Sequence, residues 1–357
     1  MFGTGNKFIV DNATHPTLST PGLPPLLIVV GPTGAGKTAV AVEMCELLNG
    51  EVVSADSVQV YRRCDIAAAK PSPQELARAR HHLINIREPT ERYSVAEWAR
   101  DAAVAIADIA ARGRQPIIAG GTGFYLRALL QPDLIADVPP NPELRAQLAE
   151  EAAAHGVLPL HERLAQLDAA AAERLHPNDV QRVMRAIEIA LGQTTQHEKN
   201  SLDLSLTSPQ QMGYHSLTLN APRSSSSHHD TIPDSIACGL DLPRAQLHRR
   251  LEKRIDLMLK AGFLDELRAL RGEGTPDQIP ALQGLGYRQM LPALDDSSRL
   301  ADCVAIWKRD TRRYAKRQMT WFRHQLPVRW IGIEESTPPL SIAQRIATEW
   351  WEHLAER

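Results

Sequence analysis

The sequence has few cysteines, no long apolar run and almost no net charge. Its four cysteines, Cys45, Cys64, Cys238 and Cys303, form no C-x-x-C pair, which argues against a zinc site or a disulfide framework and favours a reducing compartment. No apolar run reaches the ~18 residues that a membrane helix needs, and the first residues contain no secretory hydrophobic region. Lys and Arg number 40 against 42 Asp and Glu, so a polyanionic partner must meet a local basic surface. We expect a cytoplasmic, monomeric globular protein that does not enter a membrane.

Short apolar runs alternate with helical patterns along most of the chain. Strands are predicted at Leu26–Val30, Glu51–Ala55, His82–Ile86, Pro116–Ala119 and Val328–Ile333. Such alternation is typical of a parallel sheet covered by helices on both faces. From about Asp137 to Leu191 only Ala- and Leu-rich helical stretches remain, which predicts a helical insertion. A Ser-, Thr-, Asn- and Pro-rich segment follows, and its weak periodicity is typical of a linker.

These changes divide the 357 residues into five segments. We predict a flexible leader over 1–24, the first part of the core over 25–136, the helical insertion domain over 137–191, a flexible loop or linker over 192–242, and the C-terminal part of the core over 243–357. One helix is especially clear, because Ser94 and Glu97 form an S-x-x-E capping box, apolar residues follow at helical spacing, and Gly113 ends the pattern.

A glycine-rich motif lies directly after the first predicted strand. The run Gly31-Pro32-Thr33-Gly34-Ala35-Gly36-Lys37-Thr38 fits G-x-x-x-x-G-K-[ST] in full. Its glycines allow several amide N–H groups to converge on an anion at the N-terminus of the following helix. Lys37 adds a positive charge, and the Thr38 hydroxyl is placed to bind Mg²⁺. The motif predicts an α/β fold with a P-loop NTPase-like parallel sheet core, and it predicts that a di- or triphosphate binds without saying which one.

Two further strand ends should open onto the same phosphate site. Asp56 follows the second strand, where it could bind Mg²⁺ through water, accept a proton from a nucleophile, or only cap the next turn. The strand at Pro116–Ala119 ends in Gly120-Gly121-Thr122, where a hydrolytic NTPase usually has an acidic residue that organises metal and water. Its absence favours holding a leaving diphosphate over cleaving a γ-phosphate, although a structural turn is an equal alternative.

Basic residues and aromatic residues are interleaved near the C-terminus. Seven basic residues and one acid, Asp310, lie within sixteen positions, together with Tyr314, Trp321 and Phe322; the basic residues are Lys308, Arg309, Arg312, Arg313, Lys316, Arg317 and Arg323. Neutralised phosphates and stacking surfaces are what single-stranded nucleic acid needs. The alternative is a charged helix that forms ion pairs with its own protein. In the insertion, Gln181 and Arg185 share one polar helix face, which is equally typical of a solvated surface.

Eight blocks together resemble the tRNA dimethylallyltransferases, or tRNA isopentenyltransferases, of bacterial type. They are GPTGAGKT (31–38), SADSVQVYR (54–62), AKP (69–71), HHLINI (81–86), GGTGFY (120–125), QRVMR (181–185), GLGYRQM (284–290) and AKRQMTWFR (315–323). The P-loop block is generic, whereas SADSVQVYR and AKRQMTWFR together are specific. The resemblance implies transfer of a dimethylallyl group from dimethylallyl diphosphate to the exocyclic amine of the adenosine 3′-adjacent to the anticodon of tRNA, with release of diphosphate.

The resemblance also implies roles for residues of this chain. Lys37, Asp56 and Thr122 would be catalytic, with Asp56 accepting the amine proton, and Thr38 would bind Mg²⁺ as the cofactor. The diphosphate would be bound by Gly31, Pro32, Thr33, Gly34, Ala35, Gly36, Lys37, Thr38 and Arg254. The C-terminal part of the core would carry tRNA-binding helices. The residues that would contact the tRNA anticodon stem-loop are Asp56, Ser57, Val58, Gln59, Thr122, Arg145, Gln181, Arg182, Val183, Met184, Arg185, Leu282, Gln283, Gly284, Leu285, Gly286, Tyr287, Lys316, Arg317, Gln318, Met319, Thr320, Trp321, Phe322 and Arg323.

Three other functions are compatible with a P-loop. A nucleoside or nucleotide kinase would need an arginine-bearing lid over ATP and no tRNA-sized basic surface. An RNA-binding protein gated by a nucleotide would not need Asp56 at the phosphates. A transferase that acts on free adenosine phosphate would leave Gln181–Arg185 and Lys316–Arg323 without a role.

Overall fold

The structure, a computed structural model, describes residues 25–131, 138, 141–205, 234–275 and 278–355, and of residues 193–205 it describes the backbone alone. The predicted leader and residues 206–233 of the predicted linker lie outside the described residues. The chain divides into two compact units. The first unit combines Met1–Pro132 with His229–Arg357, and the second unit covers Asp133–His228.

The first unit is built on a parallel six-stranded sheet, counted within the described ranges. The strands are β1 (Leu26–Val30), β2 (Gly50–Ala55), β3 (His81–His82), β4 (Gln115–Gly120), β5 (Ser235–Asp241) and β6 (Val328–Gly332), in the spatial order β3-β2-β4-β1-β5-β6. This arrangement confirms the predicted α/β class. β1 is central, and its five residues are fully buried, as expected for a parallel strand with helices on both faces.

Helices fill the connections between the strands and make up the described part of the second unit. They are α1 (Lys37–Leu48), α2 (Pro73–Arg78), α3 (Val95–Ala111), α4 (Gly123–Leu130), α5 (Pro142–His155), α6 (Leu158–Leu167), α7 (Ala169–Arg174), α8 (Val180–Ser205), α9 (Arg244–Lys260), α10 (Phe263–Arg271), α11 (Tyr287–Asp295), α12 (Leu300–Gln325) and α13 (Pro339–Ala355), with short 3₁₀ turns at Pro280–Gln283 and Ser297–Arg299. The predicted capping box before α3 is confirmed, since Ser94 and Glu97 exchange side-chain and backbone hydrogen bonds.

The prediction of a flexible linker over 192–242 is wrong at both of its described ends. α8 continues to Ser205, and Ser235–Asp241 form strand β5. β5 pairs with β1 on one side and β6 on the other, and Ile236, Cys238 and Leu240 are buried. Its local pattern is weak because serine and glycine interrupt the apolar residues, so pairing with two neighbours determines the strand. β3 is also shorter than predicted.

The second unit has its own apolar core, formed by residues such as Leu148, Leu164 and Ile187. Within it, the buried carboxylate of Glu188 is held by Arg145 and Arg185. Of the helices that the structure describes, none has the length and apolar character needed to cross a membrane. All four cysteines are buried and unpaired in the first unit.

Candidate active site

The P-loop connects the end of β1 to the start of α1. Gly34 and Gly36 have φ angles of 82° and 93°, the left-handed region that favours glycine. A Cβ at Gly34 would also lie only 2.6 Å from Cδ2 of Leu251, so this position requires glycine for space as well as for conformation. Because Gly36 is the N-cap of α1 and has no side chain, the first amides of this helix are available to an anion.

Lys37 folds back over this loop. Its ammonium donates hydrogen bonds to the carbonyl oxygens of Gly31 and Pro32, both at 3.0 Å. Burial lowers the pKa of Lys37 to about 8; the Asp56 carboxylate opposes this decrease and the Arg254 guanidinium adds to it. The ammonium is therefore desolvated and lies at a place where a bound anion would stabilise its charge.

Gln318 of α12 holds the P-loop against the end of β4. Thr33 N donates to Gln318 Oε1 at 2.8 Å, and Gln318 Nε2 donates to Gly121 O at 2.9 Å. The Gln318 side chain is buried, so its amide serves these two backbone groups. The predicted tRNA contact at Gln318 is therefore not supported, and we assign it a positioning role. The sequence carries no local signal for it, because its partners are 285 and 197 positions away.

Asp56 lies at the carboxyl end of β2, beside Thr122 at the end of β4. Asp56 Oδ1 accepts hydrogen bonds from Val58 N at 2.9 Å and Gln59 N at 3.2 Å. Thr122 Oγ1 accepts one from Ser57 N at 3.1 Å, which ties the two strand ends together. Asp56 therefore caps its turn, as one interpretation of the sequence held, and these bonds fix the orientation of its carboxylate at the phosphate site.

Arg254 of α9 lines the same site as Asp56 and the P-loop. Its Nη2 donates to Thr33 Oγ1 at 2.7 Å. Its Nε is buried and has no hydrogen-bond partner among the described residues. Burial lowers the pKa of Arg254 to about 10, with Asp56 opposing the decrease and Arg250 adding to it. A buried guanidinium nitrogen without a partner is costly, and an anionic ligand would satisfy it.

Two adjoining cavities share Asp56 and Arg254. The first, which we call the anion cavity, has a volume of about 270 Å³ and is lined by the P-loop, Thr38 and Lys70 among others. The second, which we call the apolar cavity, has a volume of about 230 Å³. Apolar side chains of its wall, after which it is named, include Val58, Ile255, Met258, Leu285 and Trp307, and polar ones include Ser57, Gln283, Thr311 and Tyr314. Asp56 thus stands where a charged group in one cavity and an uncharged group in the other would meet.

The remaining predicted residues of the first unit fall into three groups. Ser57, Gln283 and Gly284 line the apolar cavity, and Gln59 lines the anion cavity. Lys316, Arg317, Thr320 and Trp321 line a surface groove of about 560 Å³ on α12, together with Arg313, His324 and Gln325. The side chains of Leu282, Tyr287 and Phe322 are fully buried, and Met319 is half-buried. At Gly286 a Cβ would meet the Trp307 ring. A predicted tRNA contact through the side chains of Leu282, Tyr287 and Phe322 is therefore not supported.

The basic residues of α12 divide between the two interpretations that the sequence left open. Five of them form ion pairs with nearby acids: Lys308, Arg309, Arg312, Arg313 and Arg323. Lys316 and Arg317 are exposed and have no ion pair within the part of the chain that the structure describes. The free charge of α12 is therefore concentrated in the groove, where Trp321 contacts the exposed ring of Phe124 at a centroid distance of 6.1 Å.

In the second unit the predicted tRNA-binding residues are partly structural. Arg145 and Arg185 bind Glu188, and Arg185 also donates to Val138 O at 2.8 Å. Val183 and Met184 are buried in the core of this unit, because they belong to the apolar stripe of α8, and their predicted tRNA contact through side chains is not supported. Gln181 and Arg182 are exposed.

The fold and the site define an α/β protein with a P-loop NTPase-like core, whose anion cavity shares Asp56 and Arg254 with a second cavity. The family described as IPP transferase (IPPT) matches residues 59–325. A tRNA dimethylallyltransferase of Symbiobacterium thermophilum is 40% identical over 309 residues, which are 87% of this chain and 89% of the relative. The chain therefore belongs to the IPP transferase family.

Solved structures agree with this assignment. A tRNA isopentenylpyrophosphate transferase from Bacillus halodurans is 33% identical, with 93% of this chain and 98% of that chain covered and a TM-score of 0.63. A eukaryotic dimethylallyltransferase acting on tRNA is 25% identical, with 92% and 80% covered and a TM-score of 0.71. The resemblance predicted from the sequence is confirmed, and with it the enzyme class, a prenyltransferase that modifies tRNA. The kinase interpretation loses its support.

Proposed function

We propose that this enzyme transfers the dimethylallyl group of dimethylallyl diphosphate to the exocyclic amine of the adenosine 3′-adjacent to the anticodon. The observation that carries the proposal is the position of Asp56 and Arg254 at the boundary of the two cavities. The diphosphate fits the anion cavity by its charge, and the reacting carbon and amine meet at the boundary. The two substrates would therefore approach Asp56 from different cavities.

The leaving group is stabilised by positive groups already in place. The P-loop amides, Lys37 and Arg254 bind the diphosphate, and the buried Nε of Arg254 gains a partner. As the C–O bond breaks, its electron pair goes to the diphosphate oxygen, and the allylic fragment spreads the remaining positive charge over two carbons. Oriented donors in a desolvated site are effective at stabilising charge that develops on an oxygen.

Thr38 lines the anion cavity, and its hydroxyl offers the hard oxygen ligand that Mg²⁺ prefers. Mg²⁺ usually takes one or two protein oxygens and completes its shell with water and substrate phosphates. Thr38 would hold the ion, which when bound would neutralise further charge on the diphosphate.

Asp56 and Thr122 act on the acceptor side. The adenine amine forms the new N–C bond, and it becomes acidic as it does so. The Asp56 carboxylate, oriented by two backbone amides, accepts the proton as a general base. Thr122 keeps the Asp56 turn in register with β4 through its bond to Ser57 N.

The groove on α12 supplies a surface for the anticodon stem-loop. Lys316 and Arg317 lack ion pairs within the described ranges and would contact phosphates, while Trp321 and Phe124 would offer stacking faces to unpaired bases. The target adenosine must leave its stack to reach a cavity inside the protein. Cytoplasmic location and a monomeric state belong to the same proposal, and the four unpaired buried thiols support the first of them.

The test is direct. Purified enzyme is incubated with tRNA, dimethylallyl diphosphate and Mg²⁺, and the digested tRNA is examined by mass spectrometry for one dimethylallyl group on the adenosine next to the anticodon. A parallel reaction with ATP should release no phosphate at a steady rate. ATP hydrolysis without prenyl transfer would refute the proposal.

A further inference from the structure

Thr311 places a hydroxyl in the apolar cavity without a partner. The residue lies on α12, is 2% exposed and lines the cavity. Its Oγ1 is buried and has no hydrogen-bond partner among the residues that the structure describes. A threonine inside a helix commonly bonds to the carbonyl of the preceding turn, and this one does not. Buried hydroxyl groups are rarely left unpaired, so a missing ligand group is the simplest explanation.

The surroundings of Thr311 describe that ligand. Trp307 and Tyr314 lie on the same helix face, one turn before and one turn after it, and Ile255 and Met258 of α9 line the cavity with them. These side chains offer large apolar surfaces that suit a flat ring. The matching ligand is therefore an apolar-faced group with a hydrogen-bonding atom at its edge.

Of the two groups that would meet at Asp56, the dimethylallyl chain and the base, only the base has such an atom. A dimethylallyl group is a hydrocarbon, and it would leave the Thr311 hydroxyl as unsatisfied as it is without ligand. An adenine ring has flat faces and three ring nitrogens that accept hydrogen bonds. Direct displacement also favours the base here, because a diphosphate leaving into the anion cavity requires the amine to approach from the other side.

We propose that Thr311 Oγ1 donates a hydrogen bond to a ring nitrogen of the acceptor adenine in the apolar cavity. Thr311 is then a base-binding residue that helps to select adenine and to aim its amine at the reacting carbon. The inference rests on the proposed function. A site that supplies a hydrogen bond rejects analogues that lack its partner.

The experiment combines two variants with four acceptor RNAs. T311V removes the hydroxyl at nearly constant volume, and T311S keeps it. The RNAs are one anticodon stem-loop that carries adenine, 1-deazaadenine, 3-deazaadenine or 7-deazaadenine at the acceptor position. T348V is the matched control, since Thr348 is exposed on α13 and its hydroxyl bonds to the Gln344 carbonyl. Initial rates are measured while the concentration of each substrate, the RNA and dimethylallyl diphosphate, is varied in turn.

We expect T311V to lower kcat/KM for the adenine RNA by about ten-fold, the usual value of one hydrogen bond, with KM for dimethylallyl diphosphate unchanged. With the wild-type enzyme, one of the three deaza RNAs should have a kcat/KM lower than that of the adenine RNA by a similar factor. With T311V, the same deaza RNA should be used nearly as well as the adenine RNA. T311S and T348V should resemble the wild type. The melting temperature of T311V should be equal or higher, because the lost hydroxyl has no protein partner.

Three results would overturn the inference. The first is an equal kcat/KM of the wild-type enzyme for the adenine RNA and all three deaza RNAs. This result does not depend on the folding of any variant. The second is a T311V variant whose kcat/KM is lower than that of the wild type by the same factor for all four RNAs, which would show that the hydroxyl contacts none of the three ring nitrogens. The third is a loss expressed only in KM for dimethylallyl diphosphate, which would place the hydroxyl at the donor. No transfer to any RNA by the wild type would instead refute the proposed function.

Discussion

Replacement of Gln318 by leucine tests how the P-loop is held in place. Q318L has a similar volume but removes both the acceptor for Thr33 N and the donor for Gly121 O. A buried polar group that loses its partner costs about 1–3 kcal/mol. Thr33 is only partly buried and water can replace part of its bond, so we expect the free energy of unfolding to fall by about 2–4 kcal/mol.

The second effect of Q318L concerns the donor. Without Gln318 the Thr33 amide loses its fixed orientation, and the P-loop is less well ordered for its ligand. A loss of about 1.4 kcal/mol in the free energy of anion binding corresponds to a ten-fold loss of affinity. We expect KM for dimethylallyl diphosphate to rise about ten-fold and KM for tRNA to stay constant. Urea denaturation gives the first quantity and initial rates give the second. Gln344→Leu on α13 is the control, because Gln344 is exposed.

Two outcomes would contradict this account of Gln318. Unchanged stability together with an unchanged KM for the donor would show that the two hydrogen bonds do not organise the loop. A loss confined to tRNA binding would restore the original prediction that Gln318 contacts RNA.

Three further predictions concern other parts of the first unit. Asp56→Asn should slow transfer by about 10²–10⁴-fold, the usual contribution of a general base, with the affinities for both substrates nearly intact. Lys316 and Arg317 replaced together by alanine should weaken tRNA binding and reduce the slope of log K against log salt by about 1.5 units, at somewhat under one unit per phosphate contact. Hydrogen bonds from Arg112, opposed by burial and aided by His82, lower the pKa of Glu51 from 4.5 to about 2. The resulting stability, about 3 kcal/mol, is fully present above pH 4.5 and is lost as the pH falls towards 2; Glu51→Gln should therefore lower stability at pH 7 and make it less dependent on acid, as measured by denaturation between pH 7 and pH 3.

Each of these has its own control or contrary result. If Asp56→Asn abolishes Mg²⁺-dependent donor binding and spares the rate at saturation, Asp56 holds the metal and is not the base. Alanine at Lys308 and Arg309 removes the same charge from the same helix, but these two side chains are ion-paired and should change the salt slope less. A Glu51→Gln variant with wild-type stability at neutral pH would show that the ion pairs around Glu51 do not stabilise the fold.

Local patterns carried most of what the sequence could predict. The P-loop and the turn at Asp56 depend on neighbours within a few positions. The sequence of α3 likewise contains the residues that cap its start and end its helical pattern. β5 was missed because its evidence lies in strands far along the chain, and the predicted strand of His82–Ile86 is reduced to two residues.

Burial was the other limit. The block at 181–185 reads as one polar motif, yet Val183 and Met184 lie in a core while Gln181 is exposed. In the same way, Phe322 is buried whereas its neighbour Trp321 lines the surface groove. Which residue of a helix faces a neighbour depends on packing partners that only the folded chain supplies. Thr311 gave no signal in the sequence, because an unpaired hydroxyl is a property of its surroundings.

The position of β5 has a consequence for how the chain is made. β1 pairs with β4 on one side and with β5 on the other, and roughly 120 residues separate the end of β4 from the end of β5. At a synthesis rate of about 5–20 residues per second, the ribosome takes on the order of 6–24 seconds to cover this distance. During that interval β1, whose five residues are all apolar, has one open edge, the kind of edge that recruits other chains. The second unit is thus synthesised before the sheet of the first unit is complete. β1, the strand that precedes the P-loop, can pair with β5 only after the insertion has been synthesised.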